Sequence, residues 1–279
     1  MRYTLLTGST GGLGSAFACK IAEKGENLFL TATNQERLEK QAKDIVEKYH
    51  INVLSKACDL ADCYSRNELF EFVKNKNIDI SMLINNAGYI TEGEFLKQND
   101  EDIIKAIKIN CEGTVDVTQK CLKLRNKELP FKIITVSSLA CNYAMPNMAI
   151  YAATKSFISK MMMALAIELK NENVTITTIT PSGIYTTPAM NEAIRSQGIA
   201  GKLSSHSPEY IVQFALKACE KGKIVAVPGV FNRFIKCITK PVSDVFVARQ
   251  VGKRWKKSQI KREQNFSKKL VNEKVKGEK

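Results

Sequence analysis

The sequence predicts a single α/β domain with a doubly wound, mainly parallel sheet of seven strands, extended at its C-terminus by a basic helical segment. Strand-like and helix-like segments alternate from the first residues onward, which is typical of βαβ units and a parallel sheet. A glycine-rich turn joins the first strand to the first helix. A chain of 279 residues, 44% apolar and 25% charged, has the size and composition of one large α/β domain.

Each element follows from its local sequence pattern. Short β-branched and apolar runs bounded by turn residues indicate strands, and longer segments with apolar residues at helical spacing indicate helices. We expect strands at 3–7, 27–32, 52–57, 80–85, 132–137, 175–180 and 223–227. We expect helices at 15–24, 35–49, 64–76, 100–124 and 208–221, and one that carries Tyr151 and Lys155 to about residue 170.

Positive charge is concentrated at the C-terminal end of the chain. The net charge is +14, and residues 229–279 hold 15 Lys/Arg and 4 Asp/Glu, whereas the remainder holds 27 and 24. We therefore divide the chain into a dinucleotide-binding and catalytic domain at 1–228, an amphipathic basic helical extension at 229–262 and a disordered tail at 263–279.

The extension has apolar residues at helical spacing, with lysines and arginines between them. This pattern fits docking on the body with a solvated charged end, a cap over the substrate pocket, a dimer face or peripheral contact with an anionic membrane. Nucleic-acid binding is not expected, because no aromatic–basic interleaving on a sheet is present. The apolar residues are Phe231, Phe234, Ile235, Ile238, Val242, Phe246, Val247, Val251 and Trp255.

Residue usage predicts a cytoplasmic location and no metal site. No secretory segment precedes the first strand. The eight cysteines include no CxxC pair, as expected for free thiols in a reducing compartment. His50 and His206 are the only histidines, which are too few for a His-rich zinc site.

Tyr151 and Lys155 stand four residues apart, so in a helix they lie on the same face. A phenol has a pKa near ~10, and a neighbouring ammonium favours the phenolate and lowers that pKa. The pair can then transfer a proton to or from an alcohol or ketone oxygen. The same spacing also occurs on ordinary surface helices, so the assignment depends on the rest of the sequence.

The turn after the first strand has the composition of a phosphate-binding site. Its spacing is Thr-Gly-x-x-x-Gly-x-Gly over residues 7–14. Glycines let the backbone approach a pyrophosphate, and the N-terminus of the next helix supplies N–H groups and a positive dipole end. A tight βα turn without a ligand is the alternative. The expected nucleotide contacts are Gly8, Ser9, Thr10, Gly12, Leu13 and Gly14.

Polar residues also follow the third, fourth and fifth strands. Asp59, next to Leu60, can accept a hydrogen bond from an adenine amino group or cap the following helix. The run Asn-Asn-Ala-Gly at 85–88 suits a turn against a nucleoside or a plain turn. Ser138 can bind a substrate oxygen. Asn110 has apolar helical neighbours, so its amide either bonds back to the helix or holds a water.

In order and in spacing, these motifs resemble the short-chain dehydrogenase/reductase family and its Rossmann-type fold across residues 1 to about 228. The resemblance implies that Tyr151 is the general acid/base and that Lys155 lowers its pKa and holds the nicotinamide ribose. It implies that Ser138 orients the substrate carbonyl and that Asn110 holds a water leading protons from Lys155 to solvent. Further implied cofactor contacts are Asp59, Leu60, Asn86, Ala87 and Gly88.

The segment after the sixth strand is expected to complete the cofactor site. Family members usually have Pro-Gly and a threonine there, whereas this chain has Ser182 at the glycine position. Pro181, Ile184 and Thr186 still fit contacts to the carboxamide and the pyrophosphate.

The end of the second strand favours NADP(H) over NAD(H). An acidic residue there would bond the ribose 2′-hydroxyl of NAD, and the run at 32–34 contains none. The arginine common at the Thr33 position in NADP-preferring relatives is also missing. Thr33, Asn34 and Arg37 are the residues that can serve a 2′-phosphate.

The substrate has to be inferred from the stretches around 139–149 and 187–193. Methionines there adapt to irregular apolar shapes, although packing in the core is an equally good explanation. We expect a hydrophobic ketone, steroid-like or with an acyl chain. The expected substrate contacts are Ser138, Tyr143, Met145, Met148, Tyr151 and Met190.

The sequence therefore predicts an NADP(H)-dependent oxidoreductase that interconverts a ketone or aldehyde and an alcohol. The alternative is a non-catalytic nucleotide-sensing or scaffold protein whose basic extension binds a membrane or a partner. A homo-oligomer is expected from the resemblance alone.

Overall fold

The computed structural model describes the backbone of residues 1–277 and the side chains of residues 1–262 and of Gln264. Seven strands form one sheet in which every pairing is parallel, in the order β3-β2-β1-β4-β5-β6-β7. The strand order reverses at β1 and β4, and ligands of such sheets bind at this switch point, outside the carboxyl ends of the strands. The strands are β1 (Arg2–Thr7), β2 (Asn27–Thr31), β3 (Val53–Ser55), β4 (Asp79–Asn85), β5 (Phe131–Val136), β6 (Val174–Ile179) and β7 (Val225–Ala226).

Helices connect the strands, and several begin at a side chain that accepts a hydrogen bond from a backbone N–H of the first turn. Asn34 caps α2, Asp62 caps α3, Thr187 caps α7 and Ser207 caps α9. The helices are α1 (Gly12–Ala22), α2 (Gln35–Tyr49), α3 (Cys63–Asn75), α4 (Asp100–Ile107), α5 (Thr114–Leu124), α6 (Ala149–Glu168), α7 (Pro188–Ser196), α8 (Gly198–Ser204), α9 (Pro208–Glu220), α10 (Val230–Thr239) and α11 (Asp244–Gly277).

Two apolar cores lie on opposite faces of the sheet. One packs α1, α2 and α9 against alternate strand residues such as Leu6, Leu30 and Ile84. The other packs α3, α5 and α6 against the intervening residues, such as Leu5 and Leu83. This period-two division between the faces is what a parallel sheet covered by helices on both sides requires. The predicted doubly wound fold is confirmed.

The helix expected at 100–124 is interrupted. A π-helical turn at Lys108–Gly113 separates α4 from α5 and holds Asn110. Such turns are frequent at functional sites because the extra residue per turn changes where side chains point. At its end, a Cβ on Gly113 would lie 2.7 Å from the Leu60 carbonyl oxygen, so the turn packs directly on the loop after β3.

The C-terminal third also departs from the prediction. The sequence pattern did not indicate α7 and α8, and the expected single helix at 229–262 is two helices. Pro241 lacks a backbone N–H and lies between α10 and α11, where it stops the first helix. The structure gives residues 263–277 a helical backbone as the end of α11, so the disordered tail expected at 263–279 stays a prediction. Residues 278–279 lie outside the described part.

Among the described residues, α6 alone has the length and mean hydropathy, 1.2, of a membrane-crossing helix. This helix carries Tyr151 and Lys155. Its side chains at Ala152, Lys155, Ile158 and Met162 are buried in the protein. We interpret it as a helix of the layer that covers the sheet.

Candidate active site

A cavity of about 570 Å³ lies at the carboxyl ends of the central strands. The glycine turn, the Asn86–Gly88 turn, the segment after β5, the start of α6 and the segment after β6 all contribute to its wall. Residues expected from the sequence that line it are Gly8, Thr10, Gly12, Leu13, Gly14, Thr33, Asp59, Leu60, Asn86, Ala87, Gly88, Ser138, Tyr151, Lys155, Pro181, Ile184, Thr186 and Met190. Ser9 and Asn110 are fully buried behind this wall, and Tyr143, Met145 and Met148 do not line it.

The glycine turn is packed too tightly for side chains at its key positions. Gly8 has φ +65°, in the left-handed region that favours glycine. A Cβ on Gly14 would lie 2.1 Å from the Gly8 carbonyl oxygen, and one on Gly12 would lie 2.9 Å from Thr186 Cβ. No side chain caps the N-terminus of α1, so its first N–H groups remain available. This backbone cradle fits the pyrophosphate of a dinucleotide.

Thr7 ties the glycine turn to the turn after β4, and the sequence interpretation missed this role. Its hydroxyl oxygen accepts from the backbone N–H groups of Asn86 and Ala87, at 3.0 and 3.1 Å. The Asn86 side-chain amide donates to the carbonyls of Thr7 and Gly8, each at 3.0 Å. The Asn86 side chain is therefore used to join two turns, and Ala87 and Gly88 are left facing the cavity. A threonine at the end of β1 was the available indication.

The Ser9 side chain is buried away from the cavity, whereas Asp59 lines it. The Ser9 hydroxyl donates to Gln41 Oε1 at 2.8 Å, so its side chain points into the protein and cannot contact a nucleotide as expected. Asp59 lines the cavity, and its Oδ1 accepts from the Ala61 N–H at 2.9 Å. Leu60 is fixed by the buried guanidinium of Arg66, which donates to the Leu60 carbonyl at 2.6 Å. The expected bond from an adenine amino group to Asp59 stays a prediction.

Tyr151 and Lys155 share the face of α6 that closes the cavity. Lys155 Nζ lies 5.9 Å from the centroid of the Tyr151 ring and donates to the Val136 carbonyl at 3.0 Å. Gly88 leaves room for this ammonium group, because a Cβ there would lie 3.2 Å from Nζ. Lys155 is only 4% exposed, and burial lowers its pKa to about 8.

The pKa of Tyr151 was expected to be lowered by Lys155, and this expectation is wrong for this structure. The phenol is partly accessible from the cavity, yet its burial by the surrounding protein raises its pKa. A hydrogen bond with the Ser138 hydroxyl opposes this rise only in part. Lys155 does not reverse the effect, although its Nζ lies 5.9 Å from the centroid of the Tyr151 ring. Tyr151 therefore carries its proton at neutral pH.

Ser138 and Ser137 face in different directions, as the pleat of a strand requires. The Ser137 hydroxyl donates to the Lys155 carbonyl at 2.9 Å and holds α6 against β5. The Ser138 oxygen accepts from the Ala140 N–H at 3.2 Å. Because that bond uses an acceptor site of the hydroxyl, the O–H hydrogen of Ser138 can still donate, either to the Tyr151 oxygen or to a substrate oxygen in the cavity.

Asn110 does not bond back to its own helix, which was one of the two outcomes expected for it. Its Oδ1 accepts from the Tyr89 N–H at 2.7 Å, and its Nδ2 donates to the Tyr89 carbonyl at 2.8 Å and to Thr154 Oγ1 at 3.0 Å. Thr154 in turn donates to the Tyr151 carbonyl at 2.8 Å. Both amide hydrogens of the side chain are used within the chain, but Oδ1 keeps a second acceptor site, so the water-holding role stays a prediction. Asn110 links the loop after β4 to the catalytic turn of α6, and the neighbours Tyr89 and Thr154 were missed.

The end of β2 has no carboxylate, and an arginine stands nearby. Thr33 lines the cavity, whereas the Asn34 side chain is occupied as the cap of α2. The Arg37 guanidinium donates to the Thr10 carbonyl at 3.4 Å, which places it beside the glycine turn. A cation at this edge fits the 2′-phosphate of an adenine nucleotide.

The C-terminal extension packs on segments that flank the cavity. The Tyr143 hydroxyl lies 3.2 Å from Thr239 Oγ1 of α10, and a Cβ on Gly252 of α11 would lie 2.9 Å from Pro146. The Trp255 ring N–H donates to Glu92 Oε1 at 3.0 Å. The Tyr143 side chain therefore packs against α10, and burial raises its pKa.

In the described part of the chain, no three His, Cys, Asp or Glu side chains are grouped to hold a metal.

Known proteins resemble this chain in sequence and in fold. A sequence model of the short chain dehydrogenases matches residues 2–197. The reductase FabG of Aquifex aeolicus, which acts on 3-oxoacyl-[acyl-carrier-protein], is 30% identical over 82% of this chain and 96% of that protein. The very-long-chain 3-oxoacyl-CoA reductase of Laccaria bicolor is 28% identical over 62% of this chain and 52% of that protein.

Solved structures agree at the level of the fold. A 7beta-hydroxysteroid dehydrogenase superposes with a TM-score of 0.79 at 24% identity and covers 90% of this chain and 96% of its own. A short-chain dehydrogenase of Sphingobium yanoikuyae in complex with NADPH gives 0.73 at 22% identity and covers 88% and 96%.

A dinucleotide cradle beside a lysine, a tyrosine and a serine defines a nicotinamide-dependent oxidoreductase. The chain belongs to the short-chain dehydrogenase/reductase family. It is an enzyme that acts on CH–OH and keto groups of a small-molecule substrate with NAD(P).

Proposed function

We propose that this enzyme reduces the keto group of a hydrophobic substrate of the 3-oxoacyl class with NADPH. The observation that carries the proposal is the arrangement of Ser138, Tyr151 and Lys155 around one cavity that also contains the glycine cradle. The apolar lining contributed by Ile90, Ile184 and other side chains suits a hydrophobic substrate. The 3-oxoacyl class is supported by the names of the relatives in the sequence comparison.

In the proposed mechanism the chain supplies the proton and the orientation. A bound nicotinamide cofactor supplies the hydride. Tyr151, protonated at neutral pH, donates its phenolic proton to the keto oxygen, and the O–H of Ser138 donates a hydrogen bond to the same oxygen. The ammonium of Lys155, 5.9 Å from the ring centroid, favours the phenolate that is left behind. Through Thr154, Asn110 holds the turn of α6 that positions Tyr151.

The proposal is tested by following NADPH and NADH consumption against a panel of 3-oxoacyl thioesters, steroid ketones and short ketones. Turnover that is fastest on 3-oxoacyl thioesters supports the proposal. Cofactor binding without turnover across the whole panel would instead favour the alternative of a nucleotide-sensing protein.

We expect the rate of reduction to fall as the pH rises through about 8. Burial lowers the pKa of Lys155 to about 8 and raises that of Tyr151, so below pH 8 both groups carry the protons that reduction needs. Above that pH the lysine becomes neutral and no longer favours the phenolate. The value of kcat/KM, which reports groups of the free enzyme, should fall by up to about tenfold per pH unit.

The matched variant for this pH profile is Lys155→Arg. A guanidinium stays charged across the same range, so any residual activity of this variant should show no fall near pH 8. A wild-type profile that stays flat from neutral to alkaline pH would contradict the assignment.

Arg37→Ala is expected to raise KM for NADPH about 10- to 100-fold and to leave KM for NADH nearly unchanged. A charge-assisted hydrogen bond to a 2′-phosphate contributes about 1.5–3 kcal/mol, and NADH has no such group. Lys43→Ala removes one cation from an exposed position of the same helix and is the control. Equal changes for both cofactors in Arg37→Ala would exclude a 2′-phosphate contact.

The expected homo-oligomer and the cytoplasmic location stay predictions. A surface that would support association is formed by α4 and α6, which contact each other in the fold. These helices expose the apolar side chains Ile104, Ile107, Phe157 and Ile167 to solvent.

A further inference from the structure

The surface formed by α8, α10 and the start of α11 exposes large apolar side chains that the described part of the chain does not cover. On α10, Val230 is 74% exposed and Phe234 58%, and Ile238 is exposed one turn further along. These three positions are four residues apart, so they lie along one side of the helix. Exposed apolar side chains grouped in this way mark an interaction surface more often than chance.

Further large apolar side chains are exposed on the neighbouring elements. Leu203 of α8 is exposed, and α8 packs beside α10 through a hydrogen bond from Asn232 Nδ2 to the Ser204 carbonyl at 2.8 Å. Val245 and Phe246 are exposed in the first turn of α11. We define the C-terminal apolar surface as Leu203, Val230, Phe234, Ile238, Val245 and Phe246.

α11 has two distinct sides beyond these residues. The inward side packs on the body through Gly252 against Pro146, through Trp255 to Glu92 and through Ser258, whose Oγ lies 2.5 Å from Ser196 Oγ of α7. This side is therefore already occupied by contacts within the chain.

The outward side of α11 is basic. Lys253, Lys256, Lys257 and Lys261 line one shallow hollow together with Ile260. Across residues 229–262 the sequence holds 10 Lys/Arg and 1 Asp/Glu. A second copy of this chain would bring the same positive charge to the contact, so charge favours an anionic partner.

We propose that the C-terminal apolar surface, together with the outward lysines of α11, docks on the surface of an anionic lipid bilayer. Aromatic and aliphatic side chains beside clustered lysines are the pattern of interfacial helices that lie in the plane of the headgroups. The apolar side chains enter the boundary between headgroups and acyl chains, and the lysines bind the lipid phosphates.

The test is sedimentation of the purified full-length protein with vesicles of phosphatidylcholine alone or mixed with phosphatidylglycerol, at low and at high NaCl. The expected result is binding to the mixed vesicles only, weakened by salt, because charge and apolar burial act together. Absence of binding to mixed vesicles at low salt, or equal binding to both kinds, would overturn the proposal.

Two pairs of variants identify the surface. Phe234→Asp should weaken vesicle binding about tenfold or more, because a charged side chain replaces an apolar one at the boundary. Tyr64→Asp changes an aromatic residue that is 77% exposed on α3 and should have no effect. Unchanged vesicle binding by Phe234→Asp would overturn the assignment. So would a wild type that does not bind vesicles but whose oligomeric mass is changed by this substitution.

The second pair does not depend on an apolar position and stays informative if Phe234→Asp unfolds. Reversal of Lys253, Lys256 and Lys257 to Glu should abolish binding to mixed vesicles. Reversal of the lysines at 40, 43 and 48 on α2 alters the net charge equally and should weaken binding far less. Equal losses in the two triple variants would show an effect of total charge and overturn the proposed surface.

Discussion

Tyr151→Phe is expected to lower kcat/KM for keto reduction by about 10²- to 10⁴-fold, the range that a positioned general acid contributes. Phenylalanine keeps the ring and its packing on α6 and removes only the hydroxyl group. The glycine cradle and the Asn86–Gly88 turn are untouched, so the Kd for NADPH should stay within a factor of about three. Steady-state kinetics with a 3-oxoacyl thioester and a fluorescence titration with NADPH measure the two quantities.

Tyr143→Phe is the matched control for this experiment. Its hydroxyl lies 3.2 Å from Thr239 of α10 and does not line the cavity. Its loss should change kcat/KM only slightly. If Tyr143→Phe lost more activity than Tyr151→Phe, the proton donor would have to be reassigned.

The sequence was sufficient where local patterns determine the structure. The predicted helix at 35–49 has the observed bounds of α2, because the Asn34 cap and the amphipathic pattern are both local. The doubly wound parallel sheet and the cavity residues Gly8, Thr10, Gly12, Leu13 and Gly14 of the glycine turn also follow from motifs that occupy fixed positions in a βαβ unit.

The sequence was insufficient where contacts between residues distant in sequence determine the local structure. The π-helical turn holding Asn110 is determined by contacts with Tyr89 and with the Leu60 carbonyl, which are distant in sequence. The spacing of Tyr151 and Lys155 places the two side chains together but carries no information on their burial. For that reason the direction of the tyrosine pKa was predicted wrongly.

The substrate side was the least predictable part. Tyr143, Met145 and Met148 belong to a segment whose direction depends on α10 and α11 packing against it. Pro241 interrupts the helical spacing of apolar residues in the extension. The placement of the extension over that segment could therefore not be deduced from this spacing. Met190, on the first turn of α7, does line the cavity although α7 was not predicted.

Gly14→Ala is expected to weaken NADPH binding at least about tenfold and to destabilise the fold by about 1–3 kcal/mol, the usual range for overpacking. Its Cβ would lie 2.1 Å from the Gly8 carbonyl oxygen and 2.9 Å from both Asn86 Nδ2 and Ser9 Cα. Two of these atoms belong to the backbone, so the glycine turn has to open, and the N–H groups at the start of α1 move away from the pyrophosphate. A fluorescence titration with NADPH and a urea unfolding curve measure the two effects.

Gly11→Ala separates this steric effect from a general sensitivity of the turn. Gly11 has φ −77° and ψ 162°, which any residue adopts, and a Cβ there would lie 3.5 Å from the Gly8 carbonyl oxygen, an ordinary contact. Alanine at this position should therefore bind NADPH nearly as the wild type does. Comparable losses of affinity in the two variants would mean that the chain does not hold the cofactor through the close packing of Gly14 on Gly8.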